Sequence, residues 1–399
     1  MYHLLSGLTV IEASSFVASP SAGLYCAQMG ADIIRVDQIG GGPDFHRWPV
    51  NQNNDSFYWE NLNRGKKSLA LDLSKAEGRL LLQEIIRETG QLITNYPVQG
   101  FLAHETLAAH HPTLVTARVM GWPDGAPGLD YTVNNAVGYP MMTGAGPEPV
   151  NHVLPAWDLL TGAYAAFALL ALIQHRAATG IGGEMRIPLS DVAIGTVSNL
   201  GGIAEMLSTG ENRPRLGNAV YGLFGRDFLT RDGIRVMIVV VTPRQWRNLL
   251  TALNLEQNIA TLEAKHNVSF ATDDGLRFTY RDDLFPVFAE AIARHDHAAL
   301  AKTLDAGGIV HSTYKTMLDA ARDPVLVTQN PIFAETNNPS GFSYPAAGPF
   351  GTLTGHPRGT AGTAPRNGQH SEEILATHLR LPAHEIARLI DSGIVGIAR

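Results

Sequence analysis

The stretch Pro155–Arg176, PAWDLLTGAYAAFALLALIQHR, sets a single acid before a long apolar segment. Asp158 is followed by fifteen residues, Leu159–Ile173, that carry no charge. An acid at a helix start accepts backbone N–H groups and offsets the helix dipole, so Asp158 is a candidate N-cap. Apolar neighbours also strip water from such a carboxylate, which can then attack an activated acyl group as a nucleophile. The spacing leaves both functions open for Asp158, and the two are compatible.

Motifs for other chemistries are missing or weak. The sequence holds 15 histidines but neither HExxH nor a tight His/Asp/Glu cluster, so we expect no metal site. The HDH stretch His295–His297 is typical of a solvated helix end. The sequence has no GxSxG elbow or P-loop, and SSFVASPSAG replaces the GxGxxG of an ordinary NAD site. The GGGPD stretch Gly40–Asp44 could bring backbone close to a ligand, although such a run is more often a turn.

Composition limits the partners that the protein can have. A chain of 399 residues is long enough for two domains and a large core. The net charge of -7, without a Lys/Arg-rich block, argues against a nucleic-acid partner. Charged residues make up 17%, less than the usual quarter, which suggests buried surface shared with a second subunit. Cys26 is the only cysteine, so we expect no disulfide framework and no thiolate cluster.

The sequence gives no sign of export or of membrane insertion. The N-terminal stretch Met1–Ser14 lacks the basic region of a signal peptide and runs directly into a strand pattern. The apolar run Leu159–Ile173 is too short to span a bilayer comfortably. We therefore expect a cytoplasmic protein with no membrane partner.

Strands and helices alternate over the first 200 residues, which predicts an α/β fold with a doubly wound parallel sheet. The predicted strands are apolar on both sides, as burial between two helix layers requires. They lie at Leu8–Ala13, Ala31–Asp37, Ser68–Leu73, Gln91–Tyr96, Thr113–Gly121 and Gly183–Leu189.

The pattern changes near Gly210. A hairpin turning at Arg231–Gly233 and amphipathic helices at Pro243–Leu255 and Leu284–Leu304 predict a smaller α+β domain at residues 206–312. Residues 1–205 then form the first part of the large domain, and residues 313–399 return to complete it. A long Pro/Gly/Asn-rich stretch up to Gly368 is expected to pack on another surface.

Five stretches, taken in order along the chain, are distinctive together: LSGLTVIEASSFVASPSAGLYCAQMGADIIRVD (Leu5–Asp37), LNRGKKSLALDL (Leu62–Leu73), TNYPVQGFL (Thr94–Leu102), GEMRIPLSD (Gly183–Asp191) and GQHSEEIL (Gly368–Leu375). Together they resemble the family III CoA-transferases, the group of the formyl-CoA and carnitine CoA-transferases. The resemblance implies a Rossmann-like large domain, a smaller domain and an interlocked homodimer. It also implies that an aspartate attacks an acyl-CoA thioester to form a mixed anhydride, which CoA thiolate or a second carboxylate resolves. That aspartate falls on Asp158.

Two other functions remain open within this resemblance. The family also contains α-methylacyl-CoA racemases, whose proton-transfer histidine stands in a Gly-His-Asp step. The matching step here, Gly128–Asp130, contains Leu129, which cannot take a proton and so argues against a racemase. A non-catalytic CoA-binding protein is the other alternative, and the retention of Asp158 argues against it.

A finer resemblance concerns the substrate. The stretches Ile39–Val50, Asp130–Gly144, Val150–Asp158 and Tyr221–Phe228 are similar to members that move CoA between the two carboxyls of one C5 dicarboxylate, which implies C1-to-C4 transfer in mesaconyl-CoA. The alternative is intermolecular transfer to a dicarboxylic acid such as succinate, itaconate or mesaconate. Both need a group that holds a free carboxylate.

Candidates for that group are Arg47, whose guanidinium binds carboxylate in a bidentate way, and His152. The ordinary alternative for each is a structural salt bridge or a core hydrogen bond. Many family members have an arginine where this chain has Gln38, and that arginine contacts the nucleotide end of CoA. Glutamine carries no charge, so Arg35 or another basic residue is a candidate to make that contact instead. Arg215–Gly222 is the nearest match to the Gly-rich loop of many transferases.

The resemblance implies that CoA is bound as part of the substrate, without a permanent cofactor. Its contacts fall on loops that follow the first strands, at Val17, Ala18, Gln38, Leu71, Asp72, Asn95 and Tyr96.

Overall fold

The computed structural model describes residues 1–398, which form two compact units. The first unit combines Met1–Val137, His152–Gly210 and the chain from Asp323 onward. The second unit combines Gly138–Asn151 and Glu211–Arg322.

The elements follow one another along the chain with few long gaps. The strands are β1 (Thr9–Ala13), β2 (Asp32–Asp37), β3 (Lys67–Leu71), β4 (Gln91–Thr94), β5 (Val115–Met120), β6 (Gly183–Pro188), β7 (Phe224–Leu229), β8 (Arg235–Val240), β9 (Val310–Thr313), β10 (Phe333–Asn337), β11 (Ser343–Ala347) and β12 (Val395–Gly396). The helices are α1 (Ala18–Gln28), α2 (Phe57–Leu62), α3 (Ala76–Thr89), α4 (His104–Ala108), α5 (Asp130–Ala136), α6 (Tyr139–Met142), α7 (Ala156–Thr179), α8 (Leu189–Asn199), α9 (Gly202–Thr209), α10 (Pro243–Leu253), α11 (Glu256–His266), α12 (Asp274–Thr279), α13 (Arg281–Ile292), α14 (His297–Ala306), α15 (Met317–Arg322), α16 (Ser371–His378) and α17 (Ala383–Asp391).

The first unit is built on a seven-stranded sheet in the order β12-β3-β2-β1-β4-β5-β6. Strands β1 to β6 pair in parallel, and only the short edge strand β12 runs antiparallel to its neighbour β3. The prediction of a doubly wound parallel sheet is confirmed. The strand order reverses between β1 and β4, and the carboxyl ends of strands at such a point form a ligand crevice.

The sheet is buried on both faces. Ile11 and Ile34 pack with α3, α16 and α17 in one apolar cluster. Val10 and Ile33, the alternate residues of the same two strands, pack with α1 and α7 in another. Alternate strand residues point to opposite faces, so this continuous apolar pattern is what a sheet between two helix layers needs.

Helix α7 is held close to α1 by a glycine. A Cβ on Gly162 would lie 2.5 Å from the backbone oxygen of Ala18, which is too near for a side chain to fit. The glycine therefore lets the start of α7 approach the start of α1, one turn after Asp158.

Helix α7 corrects one step of the sequence argument. It extends over 24 residues and is long and apolar enough, by length and composition alone, to cross a membrane. The prediction that the apolar run is too short was therefore wrong, because the helix continues beyond Ile173. A helix of this kind is also typical of a soluble core, and its inner residues Ala165, Ala168 and Leu169 are buried in the α1 cluster.

The second unit carries the predicted hairpin. Strands β7, β8 and β9 form an antiparallel sheet, and β7 and β8 are joined at Arg231–Gly233. The single helix predicted at Leu284–Leu304 is wrong, since α13 ends at Ile292 and α14 begins at His297. Asp296 occupies the break as the N-cap residue, and its carboxylate accepts hydrogen bonds from Arg231.

The chain after Asp323 is more regular than the sequence predicted. The Pro/Gly/Asn-rich stretch contains the hairpin β10–β11, and the last short strand, β12, was not predicted. Gln28 Nε2 donates to the backbone oxygen of Ala347 at 3.4 Å, so the hairpin packs on α1 within the first unit. This agrees with the expectation that the stretch lies against another surface.

Candidate active site

Asp158 is the third residue of α7 and lines a cavity of about 600 Å³ at the carboxyl ends of the strands. The loops after β1, β4 and β5 form its other walls. Arg47, Asp130 and Tyr131 line the same cavity. The nucleophile predicted from sequence therefore lies beside the point where the strand order reverses, which is where this fold class binds ligands.

Asp158 does not cap its own helix. The N-cap position belongs to Pro155, which has no capping side chain. Asp130 Oδ2 accepts hydrogen bonds from the backbone N–H groups of Trp157 at 2.7 Å and Asp158 at 3.0 Å. The N-cap prediction for Asp158 is thus wrong, because a buried acid from α5 already satisfies those donors. Because Asp130 caps the helix, the carboxylate of Asp158 remains available for chemistry.

Asp130 is held at its other oxygen by His152. The imidazole Nε2 of His152 is hydrogen-bonded to Asp130 Oδ1, and Asp130 is 2% exposed. One turn further along α5, Asn134 Oδ1 accepts from the indole N–H of Trp157 at 3.0 Å. Two residues of α5 therefore fix the first turn of α7 and with it the backbone of Asp158.

The surroundings of Asp158 favour its protonated form. Burial, and after it the negative charge of Asp130, raise the pKa of the carboxyl to about 6, while Arg47 acts against both. Removal of water from a carboxylate increases its reactivity toward an acyl carbon, and the raised pKa reports that removal. The group remains ionised at neutral pH.

Arg47 presents a cation to the cavity without a counter-ion on its buried nitrogen. Its guanidinium carbon lies 5.4 Å from the ring centre of Phe16 and 4.9 Å from that of Tyr58. Its Nη1 is buried and has no hydrogen-bond partner among the described residues. Ser56 Oγ donates to the backbone oxygen of Arg47 at 2.6 Å and is also the N-cap of α2. Aromatic faces and a helix cap thus hold a cation that can still accept an anion.

A second cavity of about 480 Å³ adjoins the first. It lies where β1 to β4 end and is lined by Gln38, Asp72, Asn95 and Tyr96. The two cavities share Asn95, which exchanges two hydrogen bonds with the backbone of Ser15 at 3.2 and 3.0 Å. Four of the residues predicted to contact CoA therefore meet at one end of the sheet.

The remaining predicted CoA contacts are buried. Val17, Ala18 and Leu71 have almost no exposed surface, and of the three only Ala18 lines the cavity that contains Asp158. Arg35 is 1% exposed and bonds to Glu12, Asp37 and Asp44. It cannot replace the missing arginine at position 38, and that suggestion is wrong.

Sequence reasoning missed Asp130 and Phe16. Asp130 was noted only for the leucine beside it, and its 28-residue separation from Asp158 gives no local signal. Phe16 has a left-handed backbone, with φ of 70°, which no residue pattern reveals. Among residues 1–398, no group of three or more His, Cys, Asp or Glu side chains is arranged to hold a metal ion.

A desolvated carboxylate in a cavity of a doubly wound fold is the arrangement that an acyl-transferring enzyme with a carboxylate nucleophile needs. The comparisons give the family. The family model of CoA-transferase family III matches residues 5–371, and the chain belongs to that family. It is accordingly an enzyme that handles CoA as part of its substrate.

Relatives cover the chain almost from end to end. It is 40% identical to a 2-methylfumaryl-CoA isomerase of Chloroflexus aurantiacus, with 99% of this chain and 98% of that protein aligned. It is 27% identical to a succinate–glutarate CoA-transferase of Agrobacterium fabrum over 84% of this chain and 92% of that one. A crystal structure of a CAIB/BAIF family protein from Brucella suis matches with a TM-score of 0.76 at 24% identity, covering 93% and 98%. That last likeness supports the fold.

Proposed function

We propose that this enzyme moves CoA from the C1 to the C4 carboxyl of 2-methylfumaryl-CoA, also called mesaconyl-CoA, through an anhydride on Asp158. The observation that carries the proposal is that Arg47 and Asp158 line the same cavity, near enough for the charge of Arg47 to lower the pKa of Asp158. A substrate with a second carboxylate can pair with this cation in the cavity, because guanidinium binds carboxylate with charge and paired hydrogen bonds. The 40% identical isomerase from Chloroflexus aurantiacus supports the same substrate.

The reaction takes four successive acyl transfers at one carboxylate. An oxygen of Asp158 attacks the C1 thioester carbon, the C–S bond breaks, and CoA leaves as thiolate from a mixed anhydride. The thiolate then attacks the aspartyl carbonyl and releases mesaconate, which leaves a thioester between Asp158 and CoA. The C4 carboxylate of mesaconate attacks that thioester and forms a second anhydride, again releasing thiolate. Attack of the thiolate on the C4 carbonyl gives the product and restores the Asp158 carboxylate.

Arg47 serves both ends of the dicarboxylate in this scheme. It holds the C4 carboxylate while C1 reacts, and the C1 carboxylate while C4 reacts. Of the two candidates for this role, Arg47 has a nitrogen without a partner, whereas His152 already bonds to Asp130. We therefore assign the carboxylate clamp to Arg47 and the support of Asp130 to His152.

CoA is placed in the adjoining cavity. Gln38, Asp72, Asn95 and Tyr96 line it, and Ala18 lines the cavity of Asp158, where the acyl group reacts. Val17 and Leu71 are buried and support these residues from within the fold. The shared residue Asn95 lies where the pantetheine arm must pass from this cavity to Asp158.

The quaternary structure proposed with this function is a homodimer in the cytoplasm. Helix α7 exposes Leu160, Tyr164 and Phe167 in the single chain, and these positions share one face because they are spaced by three or four residues. An apolar face of this kind is typical of a subunit interface.

The second candidate function is intermolecular CoA transfer between two dicarboxylic acids. The relative from Agrobacterium fabrum, a succinate–glutarate CoA-transferase, favours it, and Arg47 would hold the second carboxylate of either acid.

One incubation separates the two functions. The purified enzyme is mixed with mesaconyl-C1-CoA and no added acid, and the C4-CoA isomer is followed by chromatography. We expect rapid conversion. If conversion occurs only after succinate or another acid is added, the intramolecular function is wrong and the intermolecular one stands.

A further inference from the structure

Phe16 has a backbone conformation that needs an explanation. It is not a glycine, yet its φ is 70°, a conformation that bulky side chains rarely adopt. Its ring is 44% exposed and lines the cavity that contains Asp158. Strained residues of this kind persist where the surrounding structure holds them, and they concentrate at functional sites.

The group that holds Phe16 is Asp44. Both carboxylate oxygens of Asp44 accept the backbone N–H of Phe16, each at 2.9 Å. Asp44 is itself buried and receives a hydrogen bond from Arg35 Nη2 at 3.1 Å. Arg35 is fixed in turn by Glu12, with Nη1 2.8 Å from Oε1. A buried chain of charges thus ends at the backbone of one exposed phenylalanine.

That phenylalanine contacts the cation of the active site. Phe16 is on the β1–α1 loop, and its ring centre lies 5.4 Å from the guanidinium carbon of Arg47. Tyr58 of α2 provides the other aromatic contact, at 4.9 Å. Asp44 also reaches Arg47 through the backbone, since its carbonyl oxygen accepts the N–H of Arg47 at 3.3 Å. Asp44 therefore fixes both the ring and the chain segment that carries the cation.

We infer that Asp44 and Phe16 are positioning residues that set the place of the Arg47 guanidinium and so make the enzyme select acyl-CoA substrates with a free second carboxylate. The inference rests on the proposed function, because it takes Arg47 as the carboxylate clamp. It explains why the charged network ends at the backbone of Phe16. Without the network, Phe16 would return to an ordinary backbone conformation, and its ring would leave Arg47.

The test compares binding of two unreactive CoA thioethers, S-(3-carboxypropyl)-CoA and S-butyl-CoA, which differ only in the terminal carboxylate. The ratio of their dissociation constants, measured by calorimetry on the full chain, is the selectivity. We expect the wild type to prefer the carboxylate, and Arg47→Ala to bring the ratio to about one. Phe16→Leu keeps an apolar side chain without an aromatic face, and should lower the ratio about three- to tenfold. Asp44→Asn should act in the same direction.

Phe350→Leu is the matched control. Phe350 is also an exposed loop residue of the first unit, but its ring packs against Tyr25, with 6.1 Å between ring centres, away from the cavity, so its loss should leave the ratio unchanged. A wild-type preference that survives Phe16→Leu and Asp44→Asn in folded protein would overturn the inference while leaving the clamp intact. A wild type that binds both thioethers equally would overturn the clamp itself, and the conversion of mesaconyl-C1-CoA then decides the reaction independently.

Discussion

Asp158 is the residue on which the proposed chemistry depends. Asp158→Asn keeps the size of the side chain but removes the anionic oxygen that attacks the thioester. We expect turnover of mesaconyl-C1-CoA to fall by roughly 10³-fold or more, because loss of a covalent nucleophile leaves only binding and orientation. CoA binding, measured by calorimetry, should stay within about twofold of the wild type. A variant that still turns over at a tenth of the wild-type rate or faster would show that another group attacks.

The same substitution has a predictable effect on stability. The folded pKa of Asp158 is raised from 3.8 to about 6, so the folded state binds the proton more tightly than the unfolded state. The stability that this group contributes is complete below pH 4 and is lost as the pH rises through 6. Asp158→Asn should therefore stabilise the protein at pH 7.5 by on the order of 1 kcal/mol, after allowance for partial exposure, with no gain at pH 4.

Asp130 links the geometry of the nucleophile to its ionisation. Its negative charge is one reason that the pKa of Asp158 is raised. Because the nucleophile must be ionised, kcat/KM of the wild type should decline as the pH falls through about 6. Asp130→Asn removes the charge but keeps an oxygen that can accept the N–H groups of α7, so the midpoint of that decline should move to lower pH.

His152→Gln is the control for the charge effect, since it changes the support of Asp130 but leaves the carboxylate in place. It should reduce kcat while leaving that midpoint nearer to the wild-type value than Asp130→Asn does. An unchanged midpoint in Asp130→Asn would mean that Asp130 only caps the helix.

At the scale of elements, the packing of α7 on α1 determines where Asp158 lies. Gly162→Ala would put a Cβ 2.5 Å from the backbone oxygen of Ala18, and neither helix backbone can yield at little cost. We expect a loss of about 1–3 kcal/mol in the free energy of unfolding, measured in urea, and a fall in kcat as Asp158 is displaced.

Gly195 supplies the matched control for this substitution. It lies inside α8, and a Cβ there would meet nothing within 4 Å. Gly195→Ala should raise stability by about 0.5–1 kcal/mol through helix propensity. Equal effects of the two substitutions would contradict the close approach of α1 and α7.

The elements that could be predicted from sequence are those with a local signal. Apolar strands such as Thr9–Ala13 can be recognised from their composition, and their alternation with helices predicts a parallel sheet. The hairpin β10–β11 and the strand β12 were missed because they form through contacts with distant parts of the chain. Asp296, the N-cap residue of α14, was a local signal for the break between α13 and α14. The apolar periodicity continues across the break, and the sequence therefore predicted one helix.

The site divides in the same way. Asp158 and Arg47 were predicted from residue types and from a family resemblance, and the structure places both on one cavity. Asp130 as a cap and Asp44 as the partner of Phe16 were not, because each acts across 28 residues of sequence. The fold brings such pairs together, and a single sequence does not show which distant residues are in contact.

At the scale of the whole molecule, the substrate site lies above a set of buried charges in the first unit. Glu12 of β1 is paired in register with Arg35 of β2, and its second oxygen accepts from Lys66 at 2.7 Å. Gly23 makes room for it, since a Cβ there would lie 1.8 Å from Glu12 Oε2. One carboxylate thus joins β1, β2 and the chain before β3, close to the edge of the sheet where all the site loops begin.

Loss of the Glu12 carboxylate should strongly destabilise the folded protein, because it leaves Arg35 and Lys66, both buried, without their shared partner. Burial already lowers the pKa of Lys66 to about 8, and Glu12 acts against that shift. Glu12→Gln should therefore cost about 3–5 kcal/mol of unfolding free energy at pH 7, whereas Glu385→Gln, which removes a partly exposed partner of Arg388, should cost much less. Urea unfolding of both variants measures the difference. Equal losses would mean that water reaches the Glu12 cluster and that the site loops rest on the apolar layers alone.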